Sequence, residues 1–200
     1  MILVFLVLAY LVGATPTSYL VARLTRGIDL RQHGSGNLGA TNVFRVLGWR
    51  AALPVFIIDI VKGWVPTALF PLWDNAPDDW RFAYGALAIV GHVYSAYVAF
   101  KGGKGIATST GVFLALAPWA VLGGLILWTG LVFTTRIVSV GSIAAAAALP
   151  FLVWATVGVG PTLALATALA IFVVFAHRAN VRRLLRGEEH RFGRKAKEAG

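Results

Sequence analysis

Two short segments of the sequence combine glycines with side chains suited to binding phosphate. Residues 34–42 read GSGNLGATN, and residues 101–108 read KGGKGIAT. Glycine allows backbone N–H groups to turn toward an anion and to approach it closely. Hydroxyl, amide and cationic side chains add hydrogen bonds and charge to such a site. The candidate binding side chains are Ser35, Asn37, Thr41, Asn42, Arg45 and Lys104, and the glycines predicted to cradle phosphate are Gly34, Gly36, Gly39, Gly102, Gly103 and Gly105.

Neither segment fits a nucleotide-binding motif in its context. Residues 34–39 match G-x-G-x-x-G, but that pattern marks a dinucleotide site only after a β-strand, and here it follows an apolar helix. Residues 101–108 lack the P-loop spacing because Gly105 follows Lys104 directly. The second segment does open a helix near Ile106, where free N–H groups and the helix dipole favour an anion. The alternatives are a flexible polar connector for the first segment and a tight, positively charged turn for the second.

Polar residues at the edges of apolar stretches extend the candidate site. His177 and Asn180 close the last apolar stretch and, being three residues apart, are expected to share a helix face. A polar residue at membrane depth is costly to bury and is often functional. His177 is therefore a candidate catalytic group, although capping of a helix end explains it equally well. Ser142 starts another stretch on the same side and is either a site member or an ordinary helix-start residue.

Three polar residues lie deeper within apolar stretches. Asp59 and Lys62 are three residues apart, so their side chains can pair and offset each other's burial. A structural ion pair is favoured over a catalytic role for these two. His92 follows Gly91 in mid-stretch, and we predict a hydrogen-bonded packing role for it.

The composition identifies the elements that must position these residues as membrane helices. The 200 residues are 58% hydrophobic and 13% charged, whereas a soluble domain carries about 25% charged residues. The uncharged run 106–135 would be about 45 Å long as one helix, longer than the roughly 30 Å hydrocarbon core, and Pro118 divides it into a short span and a second span. We predict an all-α integral membrane protein with one domain, residues 1–200, and seven transmembrane helices at about 1–22, 51–73, 81–100, 106–117, 118–135, 138–156 and 161–176.

Charge predicts the orientation of the helices. Arginine and lysine dominate segment 23–50, the turn 101–105, position 136 and the basic tail 178–200, whereas segment 74–80 carries only acids. Because basic residues collect in cytoplasmic loops, we expect the N-terminus outside and the C-terminus and candidate site in the cytoplasm. The net charge of +10 then reflects orientation and attraction of anionic lipids or phosphate, and no nucleic acid is implied. The first stretch lacks the basic start and cleavage site of a signal peptide and is interpreted as a retained span.

The three clusters, taken in order, resemble a known family. GSGNLGATN at 34–42, GH at 91–92 leading to FKGGKGIAT at 100–108, and HRAN at 177–180 resemble the bacterial acyl-phosphate:glycerol-3-phosphate acyltransferase family (PlsY). The resemblance covers nearly the whole chain, including its length and predicted span number. One departure is TPTS at 15–18, where a Ser-Ile-Pro-Ser-like run is expected.

The resemblance implies a specific reaction. Such enzymes move a fatty acyl group from acyl phosphate to the 1-hydroxyl of glycerol 3-phosphate, which gives lysophosphatidic acid and phosphate in the first committed step of phospholipid synthesis. They use neither acyl-CoA nor acyl carrier protein as direct donor, and no cofactor or metal. Consistently, no histidine here is followed five positions later by aspartate, so the H-x-x-x-x-D signature of acyl-CoA-dependent glycerolipid acyltransferases is absent. The implied setting is the bacterial cytoplasmic (inner) membrane, with a monomer among membrane lipids.

The residues and the resemblance together give a mechanistic hypothesis. Arg45, Lys104 and Ser35 would hold the phosphate of glycerol 3-phosphate. The Gly102–Gly103 backbone, with Asn180 and His177 nearby, would hold the acyl phosphate, and the acyl tail would lie between helices. The sequence contains no cysteine and no visible Ser-His-Asp set, so direct attack by the acceptor hydroxyl is favoured over an acyl-enzyme.

Two other functions remain open at this point, and so does the identity of the base. The base is either His177 or the substrate's own phosphate. A transporter of a phosphorylated small molecule would also have basic loops, but it predicts a site near the membrane midplane on broken helices. A lipid-binding scaffold accounts for the basic tail and for none of the glycine motifs.

Overall fold

The computed structural model describes residues 1–75 and 80–192, and every regular element within these ranges is a helix. Asp78, Asp79 and the last part of the predicted tail, residues 193–200, lie outside the described residues. Two single 3₁₀ turns cover Leu30–Gln32 and Ala96–Val98. The α-helices are α1 (Ile2–Ala14), α2 (Thr17–Arg26), α3 (Ala40–Leu47), α4 (Trp49–Asp74), α5 (Trp80–Val93), α6 (Ile106–Leu116), α7 (Pro118–Thr135), α8 (Val138–Thr156), α9 (Pro161–Ala176) and α10 (Arg178–Leu185).

Several of these helices are long and apolar enough to cross a bilayer. Four candidate spans are present in the described residues: Ile2–Arg26, which joins α1 and α2, and the helices α4, α7 and α8. A fifth is the pair α9–α10, which bends by 53°. The chain is therefore a multi-pass membrane protein. Helix α6 is apolar but has only 11 residues, about 16 Å of rise, roughly half the hydrocarbon thickness.

One predicted span is shorter than expected. The span predicted at 81–100 ends as a helix at Val93, because the last carbonyls of α5 accept hydrogen bonds from the following loop. Gly102 N–H donates to Val93 O at 2.9 Å, and Gly103 N–H donates to His92 O at 3.2 Å. These bonds satisfy the end of α5 and fold residues 94–105 back across it.

The segment between the first two spans is also more ordered than predicted. Helix α2 continues to Arg26, and α3 occupies Ala40–Leu47 within the stretch 23–50 that we expected to be a loop. Helix α3 buries Val43 together with Leu30 and Val55 of neighbouring elements, so it is anchored to the helical bundle. The glycine motif at 34–42 therefore leads into a fixed helix.

Two close helix pairs bring the ends of α5 and α6 to the rest of the bundle. A Cβ added at Gly13 of α1 would collide with the backbone of Ala88 in α5. A Cβ added at Gly63 of α4 would likewise collide with the backbone of Thr108 in α6. Small residues at such crossings allow membrane helices to approach closely, where dispersion contacts replace the missing hydrophobic drive.

A buried ion pair links α4 to the break between α1 and α2. Lys62 Nζ lies 2.7 Å from Asp59 Oδ1, as expected, and also donates to Thr15 O at 2.8 Å. Thr15 precedes Pro16, whose missing N–H interrupts the helix. His92 Nδ1 lies 3.9 Å from the same Asp59 oxygen. The pair thus stabilises the interrupted helix and neutralises both charges inside the protein.

Candidate active site

The three sequence clusters meet around one cavity of about 460 Å³. Helix α3 and its preceding loop form one side, the start of α6 forms another, and the α9–α10 junction closes the polar end. Every candidate side chain predicted from sequence lines this cavity: Ser35, Asn37, Thr41, Asn42, Arg45, Lys104, Ser142, His177 and Asn180. Residues that lie up to 145 positions apart in the sequence (35 to 180) are therefore brought together.

The predicted glycines divide into two groups. Gly36, Gly39 and Gly105 line the cavity, whereas Gly34, Gly102 and Gly103 do not. The N–H groups of Gly102 and Gly103 are already donated to α5 carbonyls, so they are not the free donors that the sequence hypothesis required. A Cβ at Gly103 would collide with the His92 ring. These two glycines allow close packing of the loop on α5, and the expected phosphate cradle at 102–103 is corrected accordingly.

Asn42 holds the first glycine segment in one conformation. Its Oδ1 accepts a hydrogen bond from Ser35 N–H at 2.8 Å, and its Nδ2 donates to His33 O at 3.0 Å. Asn42 itself is buried. Gly34 and Gly36 have φ of +62° and +71°, which non-glycine residues adopt only with strain. The segment is thus a fixed loop that presents Ser35, and a flexible connector does not describe it.

Arg45 contributes a fixed positive charge from the last turn of α3. The side chain is partly buried, and this burial lowers the pKa of Arg45, while the nearby Glu189 carboxylate acts in the opposite direction. A guanidinium remains charged in proteins, so Arg45 offers a planar donor fork to an anion. Phe44, the preceding residue, packs edge to face on Phe192 with ring centroids 5.1 Å apart.

Lys104 and Asn180 form the contact at the centre of the polar end. Lys104 Nζ donates a hydrogen bond to Asn180 Oδ1. Burial first, and then the positive charge of Arg183, lowers the pKa of Lys104 to about 8. Gly105, with φ of +81°, turns the chain into α6 directly after Lys104. Lys104 therefore comes immediately before the first turn of α6, whose N–H groups have no acceptors within the helix.

His177 lies at the bend between α9 and α10. Its Nδ1 is 2.8 Å from Val173 O, and because a carbonyl can only accept, we assign the proton to Nδ1. The Nε2 lone pair is then free to accept a proton. His177 is the N-cap residue of α10 and Asn180 lies three residues into that helix, and both side chains line the cavity, as the expected shared face predicts. The last apolar helix itself is interrupted here, since α9 and α10 differ in direction by 53°.

Beyond its polar end, the cavity continues as an apolar groove among α6, α7, α8 and α9. Ser142, at the boundary, accepts a hydrogen bond from Trp128 Nε1 at 3.3 Å, so it is more than a helix-start residue. Gly124 faces open space on α7, with nothing within 4 Å of an added Cβ. The groove walls include Phe113, Val121, Leu125, Ala146, Leu149 and Leu169. A lipid tail with a charged head matches this division of the cavity.

Comparison with known proteins decides the family. The family model for glycerol-3-phosphate acyltransferase matches residues 3–187. The chain belongs to this acyltransferase family. A glycerol-3-phosphate acyltransferase of Geobacter sulfurreducens is 45% identical over 190 residues, covering 95% of this chain and 97% of that protein. The family resemblance found in the sequence is thereby confirmed.

Two crystal structures of a family member have the same fold. They are of PlsY (YgiH), an integral membrane glycerol 3-phosphate acyltransferase. The glycerol 3-phosphate form matches with a TM-score of 0.90 at 35% identity, covering 96% of each chain. The lysophosphatidic acid form matches with a TM-score of 0.87 at 34% identity, covering 96% of this chain and 95% of that one.

Three further residues of this acyltransferase belong to the cavity region and were not among the predicted site residues. Ser139 and Arg183 line the cavity, and Glu189 lies directly behind it with hydrogen bonds to both. The missed signal is the pair of acidic residues at 188–189 within an otherwise basic segment. We predicted that segment only as part of the basic tail, with no site residue at 189, whereas Glu189 is 6% exposed.

Proposed function

We propose that this acyltransferase moves a fatty acyl group from acyl phosphate to the 1-hydroxyl of glycerol 3-phosphate. The products are lysophosphatidic acid and inorganic phosphate. The observation that carries the proposal is the single cavity that joins a cationic end to an apolar groove, in a chain of the glycerol-3-phosphate acyltransferase family. A water-soluble phosphate ester and a lipid-anchored donor would meet where these two parts join.

The phosphate of glycerol 3-phosphate is assigned to Arg45, Lys104 and Ser35. Arg45 offers a bidentate fork, and the protonated Lys104 has two N–H donors left after its bond to Asn180. The Ser35 hydroxyl lies on the loop that Asn42 fixes. Donors that the fold already holds in place, as it holds Lys104 and the loop of Ser35, bind phosphate with less loss of conformational freedom, which favours both affinity and orientation.

The acyl phosphate is assigned to the start of α6 and the α9–α10 junction. The free N–H groups after Gly105 would take its phosphate, in place of the amides of Gly102 and Gly103 that α5 occupies. His177 and Asn180 line the same cavity, and Asn180 accepts a hydrogen bond from Lys104, which precedes the start of α6. The acyl chain would extend along the apolar groove, where burial of each CH₂ contributes roughly 0.8 kcal/mol.

The reaction is a direct displacement at the acyl carbonyl. The acceptor's C1 oxygen forms the new ester bond to the carbonyl carbon, and the bond from that carbon to the phosphate oxygen breaks. The phosphate leaves with the electron pair, and the hydroxyl proton passes to a base. Lysine, arginine and helix N–H groups stabilise the negative charge that develops on the carbonyl oxygen and the leaving phosphate.

Two bases are compatible with the site: Nε2 of His177 and an oxygen of the leaving phosphate. Replacement of His177 by Gln separates them. General-base catalysis by a side chain contributes about 10²- to 10⁴-fold to rate, so a loss of that size in kcat identifies His177. A loss below about tenfold identifies the phosphate and leaves His177 a positioning role.

We also propose that the enzyme resides as a monomer in the bacterial cytoplasmic membrane. The chain would cross the membrane seven times, with the N-terminus outside and the active site facing the cytoplasm. What supports the orientation is that Arg45, Lys104 and the α9–α10 junction meet around one cavity. These basic segments thus share one side of the membrane, and basic segments collect on the cytoplasmic side. The count of seven adds the short helices α5 and α6 to the four candidate spans and the α9–α10 pair. These two helices would cross where the bilayer is thinner or where neighbouring helices cover them. Anionic lipid on the cytoplasmic leaflet would attract this basic face.

A turnover assay tests the reaction. Purified protein in detergent receives palmitoyl phosphate and glycerol 3-phosphate, and phosphate release is followed; a parallel reaction offers palmitoyl-CoA. We expect acceptor-dependent release with palmitoyl phosphate and none with the thioester. Folded protein that is silent with both donors would contradict the proposal and direct attention to uptake of phosphorylated compounds by vesicles.

A further inference from the structure

The Glu189 carboxylate is buried behind the polar end of the cavity and is fully engaged. Its side chain is 1% exposed. Oε1 accepts hydrogen bonds from Asn180 Nδ2 at 2.6 Å and Ser139 Oγ at 3.0 Å, and Oε2 accepts from Arg183 Nε at 2.6 Å. All three partners line the cavity, whereas Glu189 does not. A carboxylate in this position acts on substrate only through the residues that it holds.

The carboxylate determines which way the Asn180 carboxamide faces. An ionised carboxylate only accepts hydrogen bonds, so the Asn180 NH₂ group must point toward Glu189. The carbonyl oxygen of the same amide must then point toward Lys104, whose ammonium group only donates. Rotation of the amide by 180° would place donor against donor on one side and acceptor against acceptor on the other.

The chain around Glu189 is attached to the bundle at both of its ends. Gly187, with φ of +71°, turns the backbone after α10, and Glu188 N–H donates to Arg183 O at 2.8 Å. Phe192 N–H donates to Arg136 O at 2.8 Å, and the Phe192 ring packs on Phe44 of α3. This segment, residues 187–192, therefore connects α10 to the α7–α8 junction and to the helix that carries Arg45.

Glu189 also balances an excess of positive charge. Burial opposes its ionisation, but hydrogen bonds from Arg183, Asn180 and Ser139 outweigh that effect and hold the pKa of Glu189 below its ordinary value. The carboxylate acts in turn to raise the pKa of Lys104 against its cationic neighbours. The charged or titratable groups that act on Lys104 are Arg45 from α3, His177 from the α9–α10 bend, Arg178 and Arg183 from α10, and Glu189.

We propose that Glu189 is a positioning residue for acyl transfer: it fixes the Asn180 carboxamide so that Lys104 is aimed at the phosphate-binding end of the cavity. The inference rests on the proposed function. Loss of the carboxylate releases the Asn180 amide. It also removes the negative charge that acts on Lys104, Arg45 and Arg183. Binding of glycerol 3-phosphate through Lys104 then weakens, and Lys104 loses its proton at a lower pH.

Glu189→Gln is the direct test, with Glu188→Gln as the matched control. Both changes remove one negative charge from adjacent positions, but Glu188 is exposed. Steady-state rates with palmitoyl phosphate are measured across pH 6 to 10 at varied glycerol 3-phosphate. We expect Glu189→Gln to raise KM for glycerol 3-phosphate about tenfold, the size of one charge-assisted hydrogen bond, and to move the alkaline limb of kcat/KM to lower pH. Glu188→Gln should match the wild type in both respects.

Glu189→Asp provides a second variant in case the first does not fold. It keeps the negative charge but shortens the side chain by one CH₂. The KM for glycerol 3-phosphate should therefore rise, while the alkaline limb of kcat/KM stays near that of the wild type. An unchanged KM in either folded Glu189 variant, or a limb that moves equally in Asp and Gln variants, overturns the proposal. Wild-type protein without turnover under these conditions contradicts the proposed function itself, before any variant is compared.

Discussion

Lys104, in the loop before α6, donates a hydrogen bond to the Oδ1 of Asn180 on α10, a residue 76 positions later in the chain. This contact joins the second glycine motif to the last cluster. It also leaves two of the three Lys104 N–H donors available at the cavity that Lys104 lines. The cationic end of the site is thus assembled from segments that no local sequence pattern connects.

Removal of either central cation should weaken acceptor binding. We expect Arg45→Ala and Lys104→Ala each to lower kcat/KM for glycerol 3-phosphate by about 10- to 100-fold, since a hydrogen bond to a charged group contributes roughly 1.5–3 kcal/mol. The measurement is initial rate at low glycerol 3-phosphate.

The matched controls for these variants are Arg50→Ala and Lys101→Ala, which remove the same charges from exposed neighbouring positions. Both should retain near-normal rates. Near-normal turnover in Arg45→Ala or Lys104→Ala at low acceptor concentration would remove those residues from the phosphate site.

Activity should decline as the pH rises through the pKa of Lys104. Burial disfavours the charged form and places this pKa at about 8, so the side chain is an ammonium below that pH and a neutral amine above it. We therefore expect kcat/KM for glycerol 3-phosphate to fall on the alkaline side of about pH 8. In Lys104→Arg, any residual activity should lack this limb, because arginine keeps its proton; a limb that persists there would assign the titration to another group.

The groove should set which acyl chains are accepted. Gly124→Leu adds a side chain into open groove space, so we expect turnover of a 16-carbon donor to fall far more than turnover of an 8-carbon donor. Gly130→Leu is the control, because Gly130 lies on the same helix, has equally open space and does not line the cavity. Equal losses for both donors in Gly124→Leu would place the acyl chain elsewhere.

Gly103 should be required for the loop to pack on α5. Gly103→Ala forces a methyl group into the His92 ring and the Leu38 carbonyl, so we expect a lower thermal midpoint and loss of activity. Overpacking of this kind costs about 1–3 kcal/mol. Gly160→Ala is the comparison, since Gly160 is extended (φ 168°) and has nothing within 4 Å of an added Cβ. A Gly103→Ala protein as stable and active as Gly160→Ala would contradict the packing argument.

Membrane orientation can be measured directly because the chain has no cysteine. Val159→Cys and Leu185→Cys place single thiols at residues that are 86% and 84% exposed, at opposite ends of α9–α10. In intact cells, a membrane-impermeant maleimide should label position 159, and it should label position 185 only after the membrane is opened. The reverse pattern would invert the proposed topology.

The sequence indicated which residues line the cavity better than it predicted the loops that position them. Ser35, Arg45, Lys104 and His177 were predicted as site residues because glycines, cations and polar groups at membrane depth have few structural explanations, and all four line the cavity. Helix α3 was missed because Ala40–Leu47 is short and follows a glycine motif, which is typical of a connector. Its apolar face is buried against other elements, which explains why the segment is helical.

Long-range hydrogen bonds account for the remaining errors. The end of α5 at Val93 depends on amides of the glycine loop nine and ten residues later, and no helix-stop signal in the apolar run indicates it. Glu189 accepts a hydrogen bond from Ser139, 50 residues earlier in the chain. Its position within a basic segment gives no sign of this contact. Contacts between distant segments of this kind leave no periodic trace in the sequence.

The two-part cavity has a consequence for how the enzyme's apparent KM values depend on detergent. In the proposed reaction, the groove is filled from the lipid phase, where a donor's effective concentration is a mole fraction, and the cationic end is filled from water, where molarity applies. Added detergent should therefore dilute the donor at constant total amount and raise its apparent KM, while the KM for glycerol 3-phosphate stays constant. Acyl transfer from acyl phosphate would accordingly be a surface reaction for one substrate and a solution reaction for the other.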